Sequence, residues 1–185
     1  MKLDRADRCA AALLSWLIPH CVRIEVAGSV RRRKPDVNDI DLVVIPKITQ
    51  EMDLFGNPQK RRNATWTEID RRCTAEKWAV IRAGADIASF VARDVQVDVF
   101  WTTEETWGTV LLCRTGSKEH NIWFAKYAEA RGGKWHPGAG LYKDGRVYAK
   151  SEEQLYEILG MSPIPPDKRE LHCLPYAGIV RPTYA

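Results

Sequence analysis

The run Asp39-Ile-Asp-Leu-Val-Val-Ile-Pro46 restricts the fold of this chain more than any other segment. Its apolar, β-branched character dictates a strand, and the two-residue period of a strand sets Asp39 and Asp41 on one face while Ile40, Leu42 and Val44 point to the other. Two neighbouring carboxylates repel, and a divalent cation relieves that repulsion most simply. An all-oxygen ligand set favours magnesium or manganese over softer metals. Taken alone, the D-x-D pattern also fits a solvated acidic pair.

A second segment sharpens the first. Val95-Gln-Val-Asp-Val-Phe100 alternates, with Val95, Val97 and Val99 on the core side and Gln96 and Asp98 on the other. If this strand pairs with 40–46, three carboxylates share one sheet face, enough to hold two metal ions for an in-line phosphoryl displacement. Shortly before the acidic pair, Gly28-Ser29 breaks a strand at 23–27 and opens the basic run Arg31-Arg-Arg-Lys34. Free backbone N–H groups at such a turn cradle phosphate, with Ser29 and Arg32 as added donors; the other reading is a plain turn followed by solvated basic residues.

Around these segments the pattern alternates helix and strand. Ala10, Leu13, Leu14, Leu17 and Ile18 give residues 4–18 helical spacing. The polar stretch 47–77, with Gly56, Asn57 and Pro58, reads as an insertion capped by a helix from about Thr65, carrying Trp66, Ile69, Cys73 and Trp78 on its apolar side. Strands follow at 78–83, 87–92 and 95–101. Helical character returns after residue 105, breaks at Thr115-Gly-Ser117, resumes over 118–131 and stops at Gly132-Gly133. A short β unit (140–142, 146–149) leads to Ser151-Glu-Glu-Gln154, a capping box for a helix over 152–159.

The 185 residues are 45% hydrophobic, enough to bury a core in one domain or two small ones. A net charge of +4 is compatible with nucleic acid without arguing for it. The five cysteines are odd in number, widely spaced and without a C-x-x-C pair, as expected of reduced thiols in a cytoplasmic protein. The apolar part of the N-terminal segment is short and interrupted by Ser15, which suits neither a signal peptide nor a membrane span.

Taken in order, Ala27-Gly-Ser-Val-Arg-Arg-Arg-Lys34, Asp39-Ile-Asp41, the valine-flanked Asp98, Leu111-Leu-Cys-Arg-Thr-Gly-Ser-Lys118 with Asn121, Gly140-Leu-Tyr142, Ser151-Glu-Glu153, Leu159-Gly160 and Ile164-Pro-Pro166 form one pattern. On these motifs the chain resembles the family X DNA polymerases, the polymerase beta type. The resemblance implies an α+β fold: a nucleotidyltransferase palm over 1–104, a mixed β-sheet with helices on one face, followed by a small α/β thumb over 105–185. The lyase and fingers parts of the family are not expected. It implies a monomeric, cytoplasmic DNA polymerase that adds dNTPs, or NTPs, to the 3′-hydroxyl of a DNA primer-template with two Mg2+ or Mn2+ ions, in gap-filling repair, and no membrane partner.

By the same resemblance Asp39 and Asp41 ligate both ions, and Asp98 ligates the catalytic ion and acts as general base. Gly28, Ser29, Arg32 and Asn38 contact the triphosphate, Cys113, Arg114, Gly116 and Ser117 line the place of the incoming sugar, and Asn121 reads the minor-groove edge of the incoming base. The sequence departs from polymerase beta at Cys113-Arg114 (an aromatic pair there), Gln96 (an arginine), Ala125 (a basic residue) and Asn38 (a glycine). The first departure implies weaker exclusion of ribonucleotides. Two other readings stand beside this one: a template-independent nucleotidyltransferase acting on RNA or protein, and a non-catalytic nucleic-acid-binding module.

Overall fold

Ala6, Ala10, Leu13 and Leu17 recur every three or four residues along helix α1 (Leu3–Leu17), and all four are buried. Pro19 then ends the helix in a short 3-10 turn, because a proline has no N–H to continue the helical hydrogen bonds. The computed structural model describes residues 1–52, 55 and 57–174; Gly56 and the tail 175–185 lie outside the described residues. Its contacts define two units, residues 1–30 with 34–103, and residues 31–33 with 104–185.

In the first unit α1 is followed by strand β1 (Cys21–Val26), the one-turn helix α2 (Gly28–Arg31) and strand β2 (Ile40–Pro46). Strands β3 (Ile48–Met52) and β4 (Pro58–Asn63), helix α3 (Ala64–Glu76), and strands β5 (Ala79–Ala83), β6 (Ile87–Ala92) and β7 (Val95–Trp101) complete it. Five strands form one mixed sheet in the order β1-β2-β7-β6-β5. Strand β2 runs parallel to β7, and the other neighbouring pairs are antiparallel. Helices α1 and α3 share one core with Ile40, Leu42 and Val44 of β2, Phe90 of β6, and Val95, Val97 and Val99 of β7. Burying each such valine contributes about 1.5 kcal/mol or more, so the valine repeat of β7 fixes which face turns inward. The opposite face of β2 is also covered, since Val43 and Ile45 are buried; Asp41 is a polar position in a strand otherwise shielded on both sides.

The polar stretch after β2 differs from its sequence reading. It holds a two-stranded ribbon, β3 with β4, in which Thr49 faces Arg62 and Gln50 faces Arg61. Polar residues pairing with polar residues leave no hydrophobic period to read. Asn63 caps α3 by accepting the Trp66 N–H at 2.9 Å, and Lys77 closes the helix in the left-handed conformation. Trp78 therefore lies beyond the helix, stacked on Phe90 at 6.1 Å.

The second unit contains α4 (Trp107–Thr115), α5 (Lys118–Glu129), a three-stranded antiparallel sheet of β8 (Lys134–His136), β9 (Gly140–Lys143) and β10 (Arg146–Tyr148), and α6 (Glu152–Glu157). Strand β8 is three residues long, too short to show a period in the sequence. Leu112, Trp123, Phe124, Leu141, Leu155 and Tyr156 make its core, with Phe124 edge-on to Trp135 and Tyr156. Ser151 Oγ accepts the Gln154 N–H at 3.1 Å, but Gln154 Oε1 is buried without a partner among the described residues, so it does not accept the Ser151 N–H and the return half of the expected capping box is not made.

Arg31 and Arg32 are not the solvated run that the sequence allows. Arg31 donates to Glu152 and to Thr115 Oγ1, each at 2.7 Å, and Arg169 donates to the other Glu152 oxygen at 2.6 Å. Burial alone would raise the Glu152 pKa, but the two guanidiniums outweigh it and hold the carboxyl below its ordinary value. Among the described residues no helix is long and apolar enough to cross a membrane.

Breaking one arm of a buried ion network costs about 3–5 kcal/mol, so Glu152→Gln should lower the unfolding free energy by about that much near neutral pH. A carboxyl whose folded pKa is depressed stabilises above its unfolded value and loses that contribution as pH falls through the folded one. In urea denaturation, the gap between wild type and Glu152→Gln should therefore be full near pH 7 and narrow below about pH 4.5. A gap constant down to acid pH would contradict the ionised pairing.

Candidate active site

Two acidic side chains are brought together by sheet register. Strands β2 and β7 pair in parallel with Asp41 opposite Asp98, Ile40 opposite Val97 and Leu42 opposite Val99. Directly paired residues on neighbouring strands project from the same face, so the two carboxylates stand side by side. Both are half-buried. Gln96, two residues before Asp98 on the same face, donates its amide to both Asp98 oxygens at 3.2 and 3.3 Å. On the other flank, Ser89 of β6 sits opposite Asp98 and is buried.

Gly28 shapes the end of β2. The Ala27 N–H donates to the Asp41 carbonyl at 2.8 Å, which draws the turn onto the strand. Gly28 has φ of +56°, and a Cβ placed on it would meet Asp41 Oδ2 at 1.7 Å. The space a side chain would occupy is taken by the Asp41 carboxylate, so only glycine serves, on both steric and conformational grounds. Beside it, Ser29 Oγ is buried and makes no hydrogen bond among the described residues, an arrangement that disfavours folding unless a ligand supplies a partner. Lys34 closes the loop by donating its N–H to the Ser29 carbonyl at 3.0 Å.

Asp39 precedes β2 and is half-buried, while Asn38 is exposed. Among the described residues no three His, Cys, Asp or Glu side chains stand in metal-ligand geometry; the register pairs Asp41 with Asp98, and Asp39 lies just before the paired strand. Three properties fit a hard cation here: the oxygen-only donors of Asp41 and Asp98, their side-by-side register, and the buried Ser29 hydroxyl.

The remaining candidates belong to the second unit. Arg32 donates to the Thr115 carbonyl and, through Nε, to Glu170 at 3.0 Å. Its Nη1 also packs 3.2 Å from the Cβ position of Gly116, which has φ of +67°. Ser117 caps α5 by accepting the His120 N–H at 3.2 Å, and its hydroxyl donates to the Arg169 carbonyl at 2.8 Å. Asn121 donates to the Cys113 carbonyl at 2.8 Å. Burial pushes the Cys113 thiol up, which leaves it protonated near neutral pH, and Arg114 is exposed. Arg32 is therefore held by Thr115 and Glu170 beside Gly116, Ser117 is held by Arg169, and Asn121 is held by Cys113. The strand alternation already puts Gln96 on the face of Asp98, whereas the sequence carries no signal for Tyr156 as the partner of His120, because that contact depends on tertiary placement.

The mixed sheet with two helices on one face is the α+β fold of polymerase beta. Crystal structures of Leishmania infantum polymerase beta share it. Its ternary P/T complex aligns with a TM-score of 0.69 at 18% identity, covering 92% of this chain and 76% of that one. Its ternary gap complex aligns with a TM-score of 0.70 at 19% identity, covering 92% and 70%. Residues 110–170 match the family described as DNA polymerase beta thumb. Over 158 residues, 82% of this chain, the sequence is 28% identical to the DNA polymerase/3′-5′ exonuclease PolX of Bacillus subtilis (strain 168), of which it spans 25%. The chain is thus similar to family X polymerases, in sequence pattern over its thumb segment and in fold over most of its length.

Gly28→Ala forces a Cβ into the Asp41 carboxylate and strains a positive φ, and such overpacking costs about 1–3 kcal/mol. Urea denaturation should show that loss, with a shift of the Asp41 carboxyl resonance in NMR. An unchanged midpoint together with an unchanged Asp41 signal would contradict the close contact.

Proposed function

We propose that this protein is a DNA polymerase that transfers dNTPs to the 3′-hydroxyl of a primer on its template, with residues 1–104 acting as palm and 105–185 as thumb. The observation that carries this reading is the parallel pairing that sets Asp41 beside Asp98, next to the glycine turn and the unpartnered Ser29 hydroxyl. The family X resemblance supports it from the sequence side, and a role in gap-filling repair follows from the same resemblance.

Asp39, Asp41 and Asp98 would hold two Mg2+ or Mn2+ ions. When bound, such ions neutralise charge developing on the transferred phosphoryl group and lower the pKa of the attacking hydroxyl. The residues of the chain do the rest. Asp98 accepts the proton of the primer hydroxyl at its carboxylate, and Gln96 holds that carboxylate in place through its amide. The freed oxygen attacks the α-phosphorus, and the bond to pyrophosphate breaks as the new ester forms. Ser29 Oγ donates to a triphosphate oxygen, which satisfies a hydroxyl that is otherwise buried and unpaired. In the second unit, Asn121 offers a side-chain N–H to the base, and the group around Arg32, Gly116 and Ser117 shapes the approach of the nucleotide.

Primer extension with single dNTPs and Mg2+ tests this reading. Templated extension is expected, and Asp98→Ala and Asp41→Ala should each reduce its rate by about a hundredfold or more. Extension that survives Asp98→Ala at the wild-type rate would overturn the mechanism. Extension without a template, or of RNA alone, would make the protein a template-independent transferase. DNA binding without transfer would make it a binding module.

A further inference from the structure

The second unit contains a chain of hydrogen bonds that the proposed chemistry leaves unused. Tyr156 Oη lies 2.7 Å from His120 Nε2, and His120 Nδ1 lies 3.4 Å from Asn121 Oδ1. At the far end Asn121 Nδ2 is 2.8 Å from the Cys113 carbonyl oxygen. Chemistry at that end fixes the direction of the whole chain. A carbonyl only accepts, so the carboxamide turns its N–H toward Cys113 and its oxygen toward His120. That oxygen also only accepts, so a neutral His120 carries its hydrogen on Nδ1 and leaves Nε2 bare. Tyr156 is then the donor to Nε2.

The surroundings keep both groups in those states. His120 and Tyr156 have no exposed surface. Burial, with the Arg169 guanidinium nearby, pulls the His120 pKa down to about 3, while burial pushes the Tyr156 hydroxyl up. Glu152, whose charge acts on both groups, is already taken by Arg31 and Arg169.

We propose that Tyr156 and His120 are positioning residues that hold Asn121 in one amide orientation, so that the second hydrogen on its Nδ2 is offered to an acceptor on the minor-groove edge of an incoming base. The proposal rests on the polymerase reading above. Asn121 is half-buried whereas His120 and Tyr156 are fully buried, so the chain runs from the core of the unit to a side chain that reaches its surface. Purines present N3 and pyrimidines O2 on that edge, both acceptors, so a donor fixed in place serves every base. A flipped amide would present its own oxygen to them and lose the contact. Ordering the side chain beforehand also removes an entropy cost that a freely rotating asparagine bears at each binding event.

Two measurements test the proposal. In the wild-type protein, 15N NMR of the His120 ring between pH 6 and 8 should show Nδ1 protonated and Nε2 bare. An Nε2–H ring would overturn the proposal, because the amide would then have to be reversed. In steady-state primer extension, Tyr156→Phe should raise KM for dATP about fivefold, the effect of weakening one neutral hydrogen bond, with kcat within about twofold. With 3-deaza-dATP, which lacks the minor-groove acceptor, wild type and Tyr156→Phe should have the same KM. An equal rise for both nucleotides would assign Tyr156 a general structural role and overturn the positioning one. Absence of extension by the wild type would remove the polymerase reading and the base-reading role with it, while the Nδ1–H result would still decide the hydrogen-bond chain.

Discussion

The parallel pairing of β2 with β7 is the constraint on which the rest of the first unit depends. It sets Ile40, Leu42 and Val44 beside Val97, Val99 and Trp101 in the core, and in the same register it sets Asp41 beside Asp98 on the other face. A shift of one residue would turn the valines outward and the aspartate into the core, a cost of several kcal/mol from burial alone. Hydrophobic burial therefore enforces the proximity of two like charges. The acidic pair is maintained by the core beneath it, and Gly28 keeps a side chain out of the space where Asp41 lies.

The two units treat carboxylate charge in opposite ways. Glu152 is met by two guanidiniums within 2.7 Å, and the cluster is closed by Thr115 and the Ile164 carbonyl. Asp98 receives a neutral amide from Gln96 instead. A carboxylate neutralised inside the protein is structural. One left to a neutral partner next to another acid keeps its affinity for a cation from outside, and that difference separates a stabilising network from a binding site.

Much of this was legible in the residues. The helix of α1, the strands β2, β6 and β7, and the glycine end of α5 all follow from hydrophobic period and turn chemistry, because each of those signals is local. The acidic residues could be assigned to one sheet face from the valine alternation around Asp98, but the parallel register that makes Asp41 and Asp98 neighbours is a non-local fact. Other features were hidden for the same reason. The ribbon β3–β4 pairs polar with polar residues, Arg31 and Arg32 find partners more than eighty residues away, and the His120–Tyr156 contact spans 36 residues. Periodicity reports which face is buried; it carries no record of which distant polar group meets which.

The central claim is that Asp41 and Asp98 together hold a divalent cation. Titration of Mn2+ into the protein, followed by electron paramagnetic resonance of the free ion, measures this without relying on turnover. Wild type should bind Mn2+, and Asp41→Asn and Asp98→Asn should each weaken binding at least about tenfold, since loss of a direct ligand costs no less than loss of an outer-shell partner. Mn2+ binding of equal strength in wild type and both variants would contradict the account.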